Sequence, residues 1–336
     1  MNTDIIIRDL ESKDAFELSA LFSRCYGDTY SAHVFYDVAA LSALIDNLKL
    51  VSVVAMKHQR IVGHVGITVR HEESNVCEAG NTVVDPGSRG QGLLMRLGVA
   101  LNDLVRRKGY VAYLHYPTTA HAIMQRASAA YGGKDTGLML AYIPETTDAK
   151  IGDKQTGRIA ATVAYQPLTA PPARDVILPE RYHDVIADIY KKLAFDRRIT
   201  KAQNTKVQNT REQGLVSEEA DLIESFNPQQ ELLHIFVAAE GRRIRSKVSA
   251  LIRRYQPKVT HIDLPLDNVD IAFVIEDLRE IGFFFCALLP EFSHTDLIRL
   301  QAISSLKPSD LELKLVNQDA INLASFIRHD AAQSKN

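Results

Sequence analysis

Two hydrophobic periods alternate along the first 145 residues, and their order is informative. Ile5–Arg8, Leu50–Lys57, Arg60–Arg70 and Val76–Val84 are strand-length runs rich in β-branched residues, with His58-Gln59 as a hairpin turn. Phe16, Leu18, Leu21, Phe22 and Cys25 recur at helical spacing behind Ser12, a suitable cap. Cys25–Tyr36 reads as a loop and Val38–Leu48 as a second helix. A longer helix is expected from about Gln91 to Lys108, where Leu94, Leu97, Leu101, Leu104 and Val105 form one stripe and Gly109 stops it. Tyr110–Tyr116 is a strand closed by Pro117, Thr119–Tyr131 a helix, and Leu138–Ile143 a strand closed by Pro144. The predicted order is β-α-α-β-β-β-α-β-α-β, a mixed α/β unit complete by residue 145.

Thr146–Gly157 is polar and reads as a linker, so the expected domains are 1–147 and 158–336. In the second, Ile159–Tyr165, Leu232–Ala239, Val259–Leu264, Phe283–Leu289 and Leu297–Ile303 read as strands. Arg242–Tyr255 and Val269–Ile281 read as helices, Pro179 suits the first turn of another, and Lys201–Gly214 is a polar loop. The two halves echo each other. Pro117, helix, Gly132 and a strand ending Pro144-Glu145 match Pro265, helix, Gly282 and a strand ending Pro290-Glu291, which suggests a diverged internal repeat.

Composition changes this picture little. With 336 residues, 46% hydrophobic and 24% charged, the chain has the makeup of a globular protein of about two domains. A formal charge of −2 gives no reason to expect a nucleic-acid partner. Cys25, Cys77 and Cys286 are odd in number and far apart, which predicts free buried thiols, no disulfide framework and no metal site. No apolar run reaches the ~20 residues of a membrane span, and Met1–Leu10 lacks a signal-peptide core. The expectation is a cytoplasmic protein.

The chemistry concentrates at Val83-Val84-Asp85-Pro86-Gly87-Ser88-Arg89-Gly90-Gln91-Gly92-Leu93. A strand ends, a glycine-rich turn follows and an amphipathic helix begins. Backbone N–H groups at such a turn, aided by the helix dipole, make an anion site. The sequence is neither a Walker loop nor a Gly-x-Gly-x-x-Gly fingerprint. At these residues it resembles the GNAT N-acetyltransferase superfamily, whose Arg/Gln-x-x-Gly-x-Gly/Ala turn holds the pyrophosphate of acetyl-CoA. Gly90 and Gly92 match the two glycines and Arg89 the frequent preceding arginine, whereas Gly87 departs from the usual Gln or Arg. The resemblance covers about residues 5–145. It implies a mixed, mostly antiparallel twisted sheet flanked by helices, with Val83, Val84, Arg89, Gly90, Gln91, Gly92 and Leu93 at the cofactor. The segments Tyr26–Tyr30, Glu78–Gly80 and Thr136–Pro144 look like a bacterial group in which a degenerate GNAT-like half follows the first.

Acyl transfer to an amine requires that the amine lose a proton. At pH 7 a lysine-like amine lies ~3.4 units below its pKa, so deprotonation costs about 4–5 kcal/mol, and a positioned base must assist. The resemblance offers Tyr131, at the spacing Ala127-x-x-x-Tyr131, as the acid that meets the thiolate; Met124 stands where that group carries Asn. Glu78 in the strand before the loop is the first candidate base and His115 the second. Tyr26, Tyr30 and Tyr36, with His33, crowd the loop that covers the acceptor site in this superfamily. The leading expectation is an N-acyltransferase that moves acetyl, or a short acyl group, from acetyl-CoA to a small-molecule or peptide amine. The alternatives are a non-catalytic acyl-CoA sensor or scaffold, and a homodimer with the second half as interface. That half has only Gly241 between Glu240 and Arg242-Arg243 at the corresponding turn, so no second cofactor is expected there.

Overall fold

The computed structural model describes residues 5–30, 32–69, 74–144, 157–202, 220–239, 243–304 and 306–334. Its first half contains β1 (Ile5–Asp9), α1 (Ala15–Tyr26), α2 (Val38–Asp46), β2 (Val51–Lys57), β3 (Arg60–Thr68) and β4 (Val76–Val84). It continues with α3 (Leu93–Arg107), β5 (Ala112–His115), α4 (Ile123–Ala130), β6 (Lys134–Ile143) and β7 (Ile159–Pro167). Of the helical stripe expected in α3, Leu97, Leu101, Leu104 and Val105 are at most 4% exposed against β2 and β3, whereas Leu94 is half-buried and Leu93 takes the buried place at the start of the helix. Burial of each such side chain contributes about 1.5–3 kcal/mol, which fixes α3 and therefore the turn that precedes it.

Strand β7 corrects the boundary at 147/158. The sheet runs β1-β2-β3-β4-β5-β7-β6, so β7 lies between β5 and β6 and pairs antiparallel with both. The first unit is therefore closed by residues 159–167, and the segment 145–156 before them lies outside the described residues. An alternating apolar strand identifies itself locally, but its neighbours depend on pairing across the fold.

The second half holds β8 (Arg174–Pro179), α5 (His183–Leu193), β9 (Arg197–Ala202), β10 (Asp221–Asn227), β11 (Leu232–Ala239) and α6 (Ile244–Tyr255). It ends with β12 (Val259–Pro265), α7 (Ile271–Arg279), β13 (Phe284–Leu289), β14 (Leu297–Ile303) and α8 (Gln318–Gln333). Pro179 is the last residue of β8 and not the first turn of a helix; its φ of −65° and ψ of 137° are extended. Of the expected loop at 201–214, residues 201–202 finish β9, which pairs parallel with β8, and the rest lies outside the described residues. The turn at 240–242 also lies outside them.

The halves share one twelve-stranded sheet whose order mirrors about its middle: β3-β4-β5-β7-β6 meets β13-β14-β12-β11-β10. In each half a parallel pair, β4–β5 or β11–β12, is followed by antiparallel partners. The sheet is mixed and mostly antiparallel, with helices against it.

Where the halves meet, β6 and β13 share a single register pair, Gly137 with Ala287. A side chain at Gly137 would collide with the Ala287 Cβ and the Cys286 carbonyl, so glycine sets how closely the strands approach. Beside it the buried Gln301 side chain acts as a strand: its Nε2 donates to Leu138 O at 3.0 Å and its Oε1 accepts from Leu140 N at 2.9 Å. A second tie is polar. The Glu291 carboxylate, held within the second half by Arg174 and Arg197 at 2.7 Å, accepts across the junction from the Asn75 amide, just before β4, at 2.9 Å. Gly137→Val should therefore lower the unfolding free energy by about 3 kcal/mol or more, the upper part of the overpacking range. Urea denaturation checks this, and a loss below about 1 kcal/mol would mean that the junction can open without cost.

Candidate active site

The site begins with a fault in the β3–β4 ladder. His64 pairs with Val83, but Gly66 pairs with Gly80, and the surplus residue Asn81 takes φ 54°. A bulge of this kind bends the strand and turns its side chains. It is held by His64, whose Nδ1–H donates to Asn81 O at 2.8 Å. Burial pushes the His64 pKa down to about 4, so at neutral pH the ring is uncharged. On the same face, where both rings pack on Phe22 and Phe35, the Tyr30 hydroxyl donates to Asn81 Oδ1 at 2.7 Å.

Beyond the bulge β4 enters the glycine-rich turn. Asp85 accepts from Gly87 N at 3.0 Å and from Arg24 Nε at 2.7 Å, while Arg24 also donates to Ile61 O at 2.7 Å. Helix α1 thereby anchors the start of the turn. Arg89 is exposed, and its Nε donates to Val84 O at 3.3 Å. Gly90 and Gly92 take φ of 74° and 70°, which a side chain would strain, and a Cβ at either would meet nothing within 4 Å. The glycines therefore face open space, and Leu93, buried against the sheet, starts α3. The first N–H groups of an α-helix lack partners within it, and here they follow directly on this exposed turn. Val83 and Val84 lie in the ladder opposite His64 and Gly63. Val83 packs toward α1, and Val84 toward α3.

Just before the bulge, β4 and β5 diverge after the pair Glu78–Leu114. A cavity opens between α3, α4 and these strands, lined by Leu97, Leu101, Tyr113, His115, Tyr131 and Gln166. Tyr131 closes one side. Its ring fits against Gly98, where a Cβ would come within 2.6 Å, and its hydroxyl donates to Met95 O. Burial raises its pKa, so the phenol keeps its proton. His115 faces this same cavity, and burial lowers its pKa to about 4.

Glu78 points the other way. Cys77 and Ala79 join the core under α3, so Glu78 lies on the opposite face of β4. It is 9% exposed and accepts from the Tyr116 hydroxyl. Tyr116 meets Tyr142 edge-on at 6.0 Å, and Tyr142 stacks on His261 of β12 at 5.8 Å. Next to them Arg299 clamps Asp263 at 2.6 and 2.7 Å, and Asp263 accepts from His234 Nε2 at 2.8 Å. The guanidinium and the imidazole outweigh the burial that would raise the Asp263 pKa and hold it far below the carboxylate range. The second half thus borders the Glu78 face.

Thus the structure brings Tyr131 and His115 together, and separates both from Glu78 by the sheet. Tyr26 is 8% exposed and stacks in an aromatic cluster with Phe22 and Tyr30. Tyr36 accepts from Tyr30 N at 3.0 Å and ties the loop to itself. Of the three, Tyr30 reaches the bulge. Tyr116, Asn81, Gln166 and the His234–Asp263–Arg299 group do not stand out in the sequence. Tyr116 has a local signal, a tyrosine between His115 and Pro117 at a strand end; the others depend on strand pairing. Among the described residues no cluster of histidine, cysteine and carboxylate could hold a metal ion, and no helix is long and apolar enough to cross a membrane.

The anchor of the turn is open to test. Burial alone would raise the Asp85 pKa, but Arg24 and the Gly87 N–H outweigh it and lower it. Removing the guanidinium by Arg24→Met should cost about 1–2 kcal/mol, a charge-assisted bond discounted for partial exposure. Because the folded-state pKa is depressed, this contribution is complete above ~4, the unfolded value, and disappears as pH falls through the folded value. Urea midpoints should differ equally from pH 7 to about 5 and converge toward about pH 2. A gap that does not narrow at the lowest pH would assign the effect to packing and to the Arg24 bond with Ile61 O, not to the Asp85 charge.

Residues 15–132 match the family model described as the acetyltransferase (GNAT) family. No curated protein matches the chain. Among solved structures, it is similar to an N-acetyltransferase from Staphylococcus aureus Mu50, with 13% identity, 50% of this chain and 100% of that one covered, and a TM-score of 0.41. The ribosomal-protein-S18-alanine N-acetyltransferase from Escherichia coli gives 16% identity, coverage of 50% and 96%, and a TM-score of 0.39. An aminoglycoside 6'-N-acetyltransferase complexed with coenzyme A gives 16%, 50% and 99%, and 0.37. From the first residue of α1 to the glycine after α4, residues 15–132 carry an acetyltransferase domain of the GNAT family.

Proposed function

We propose that this domain is an N-acyltransferase that uses acetyl-CoA and transfers its acetyl, or a short acyl group, to the amine of a small molecule or peptide. The observation that carries this is the turn at Gly90–Gly92. Both glycines have positive φ, both face open space, and α3 begins directly behind them. That is the backbone geometry that receives a pyrophosphate. The diverging strands beside it offer a channel for the rest of the cofactor.

In the reaction the neutral amine attacks the thioester carbonyl, a C–N bond forms, and the C–S bond breaks. The amine gives up one proton and the departing thiolate takes one. Glu78, which accepts from Tyr116 on the face toward the second half, is the candidate base. Tyr131, a protonated phenol at the cavity, is the candidate acid. His115 is the weaker base, because a pKa of about 4 leaves little proton affinity at pH 7.

The mirrored strand order supports a further reading: the second half is a GNAT-like unit without a cofactor turn, and it shapes the acceptor face through Tyr142, His261 and Arg299. The buried free cysteines favour a reducing, cytoplasmic setting. One observation favours the sensor reading instead. The Tyr131 hydroxyl is already engaged by Met95 O.

Acetyl-CoA at ~100 times its dissociation constant should stabilise the protein by about 2.7 kcal/mol. Titration calorimetry should give one cofactor per chain. Gly92→Val should abolish the shift while the free protein stays folded. An unchanged melting temperature at saturating acetyl-CoA would remove the proposal. With a panel of amines, Tyr131→Phe and Glu78→Gln should each lower turnover roughly 100- to 10,000-fold. Binding without release of free CoA from any amine would select the sensor.

A further inference from the structure

Helix α4 leads into the candidate acid Tyr131, and little of its own holds it. It has eight residues, fewer than a helix needs to persist alone, and Ala122 gives its start no side-chain cap. On one side Met124, Ala127 and Tyr131 face the cavity. On another, Gln125 is 4% exposed and meets a segment of the second half, residues 306–317, which runs from β14 to α8.

This segment is a strap. Arg328 of α8 donates to Leu311 O, and Leu311, Leu313 and Leu315 pack at alternate positions against the core that the two halves share. Three ties then cross to the first half around α4. Gln125 Nε2 donates to Lys314 O at 2.8 Å, and also to Thr118 O and His121 O of its own half at 3.0 and 3.3 Å. The Lys314 N–H donates to Thr119 O, before the helix, at 3.1 Å. Asn317, whose Oδ1 caps α8, donates through Nδ2 to Asp135 Oδ2, after the helix, at 2.7 Å. Three carbonyls around one nitrogen fix the orientation of the Gln125 amide, since the flipped form would turn an oxygen toward all three. The amide is thus a joint between the halves at the first turn of α4.

We propose that the strap sets the place of Tyr131, with Gln125 as a positioning residue. Across α4 from the strap, the Tyr131 ring fits against Gly98 of α3, and the Tyr131 carbonyl accepts from Gln166 Nε2 at 2.8 Å. A helix this short moves as a unit, so freeing its first turn from the strap shifts the phenol at its end. The second half thereby acts at the acid's end of the reaction as well as on the acceptor face. This role rests on the proposed acyl transfer with Tyr131 as the acid.

Gln125→Met keeps the length of the side chain and removes its donors. The full chain is compared as wild type, Gln125→Met, Tyr131→Phe and the double variant. For each, kcat, the KM of an accepted amine and CoA affinity are measured, and hydrogen exchange of the α4 amides is followed by mass spectrometry. Gln125→Met should lower kcat roughly 10- to 100-fold, the cost of misplacing a reacting group by about 1 Å. It should leave KM and CoA affinity as in wild type and speed exchange in α4. Added to Tyr131→Phe, it should cost nothing further, because the two act as one unit. An equal loss in both backgrounds is general structural damage and overturns the proposal, as does an unchanged kcat. A Tyr131→Phe enzyme as active as wild type overturns it too, since Gln125 would have nothing to act through. If Gln125→Met does not fold, Asp135→Ala, which removes the tie after the helix, must show the same pattern. A wild type that turns over no amine marks the failure of the acyl-transfer reading itself. Exchange in α4 is read apart from activity, and a rate unchanged by Gln125→Met overturns the strap.

Discussion

The parallel pairing of β4 with β5 ends after three residue pairs, and the cofactor half takes its form from that early end. Parallel strands that stayed paired would bury their facing backbone groups and leave no gap. Here Asn81 adds a residue to β4 and the strand bends, while β5 stays paired with β7 on its other edge from Ala112 to His115. The start of the glycine-rich turn is held by Asp85 and Arg24, and α3 runs on from it to form one wall of the opening. The His64 ring at the bulge is a costly support, since it is fully buried and its Nε2 has no partner. Its hydrogen bond to Asn81 O replaces a ladder bond that the bulge removes.

The opening gives the sheet two unlike faces. On the α3 side are an apolar cavity, a phenol and two unpaired polar atoms. On the other side are a carboxylate, a tyrosine and the charged group of the second half. In the proposed transfer an amine and a thioester approach the same gap from opposite directions without crossing each other's path. Burying the Asp263–Arg299 pair costs desolvation, which the two bonds between them and the His234 bond offset. The pair orients His234, the partly exposed end of the group.

Much of this is legible locally. The stripe of α3 and the glycines before it announce themselves because both are short-range patterns, one of burial and one of backbone conformation. The strand Ile159–Tyr165 is equally plain, but its place between β5 and β6 is not, because pairing is decided by the whole sheet. Strand β10 gives no clear signal because it is an edge strand with mostly exposed side chains, and α8 gives none because half of its buried stripe is alanine and one member is Asp330. The site divides in the same way. The turn can be read from residue types, whereas Gln166 gains its meaning only from Tyr131, 35 positions away in the chain and adjacent in space.

The insertion of β7 has a consequence for the order in which the molecule can be made. A ribosome delivers β5 and β6 before β7, so for the time it takes to synthesise residues 144–167 both strands wait with open edges. Such edges invite pairing with the wrong chain. The nascent cofactor half is therefore most vulnerable just after it has acquired its turn and helices, and it becomes safe only when its last strand emerges.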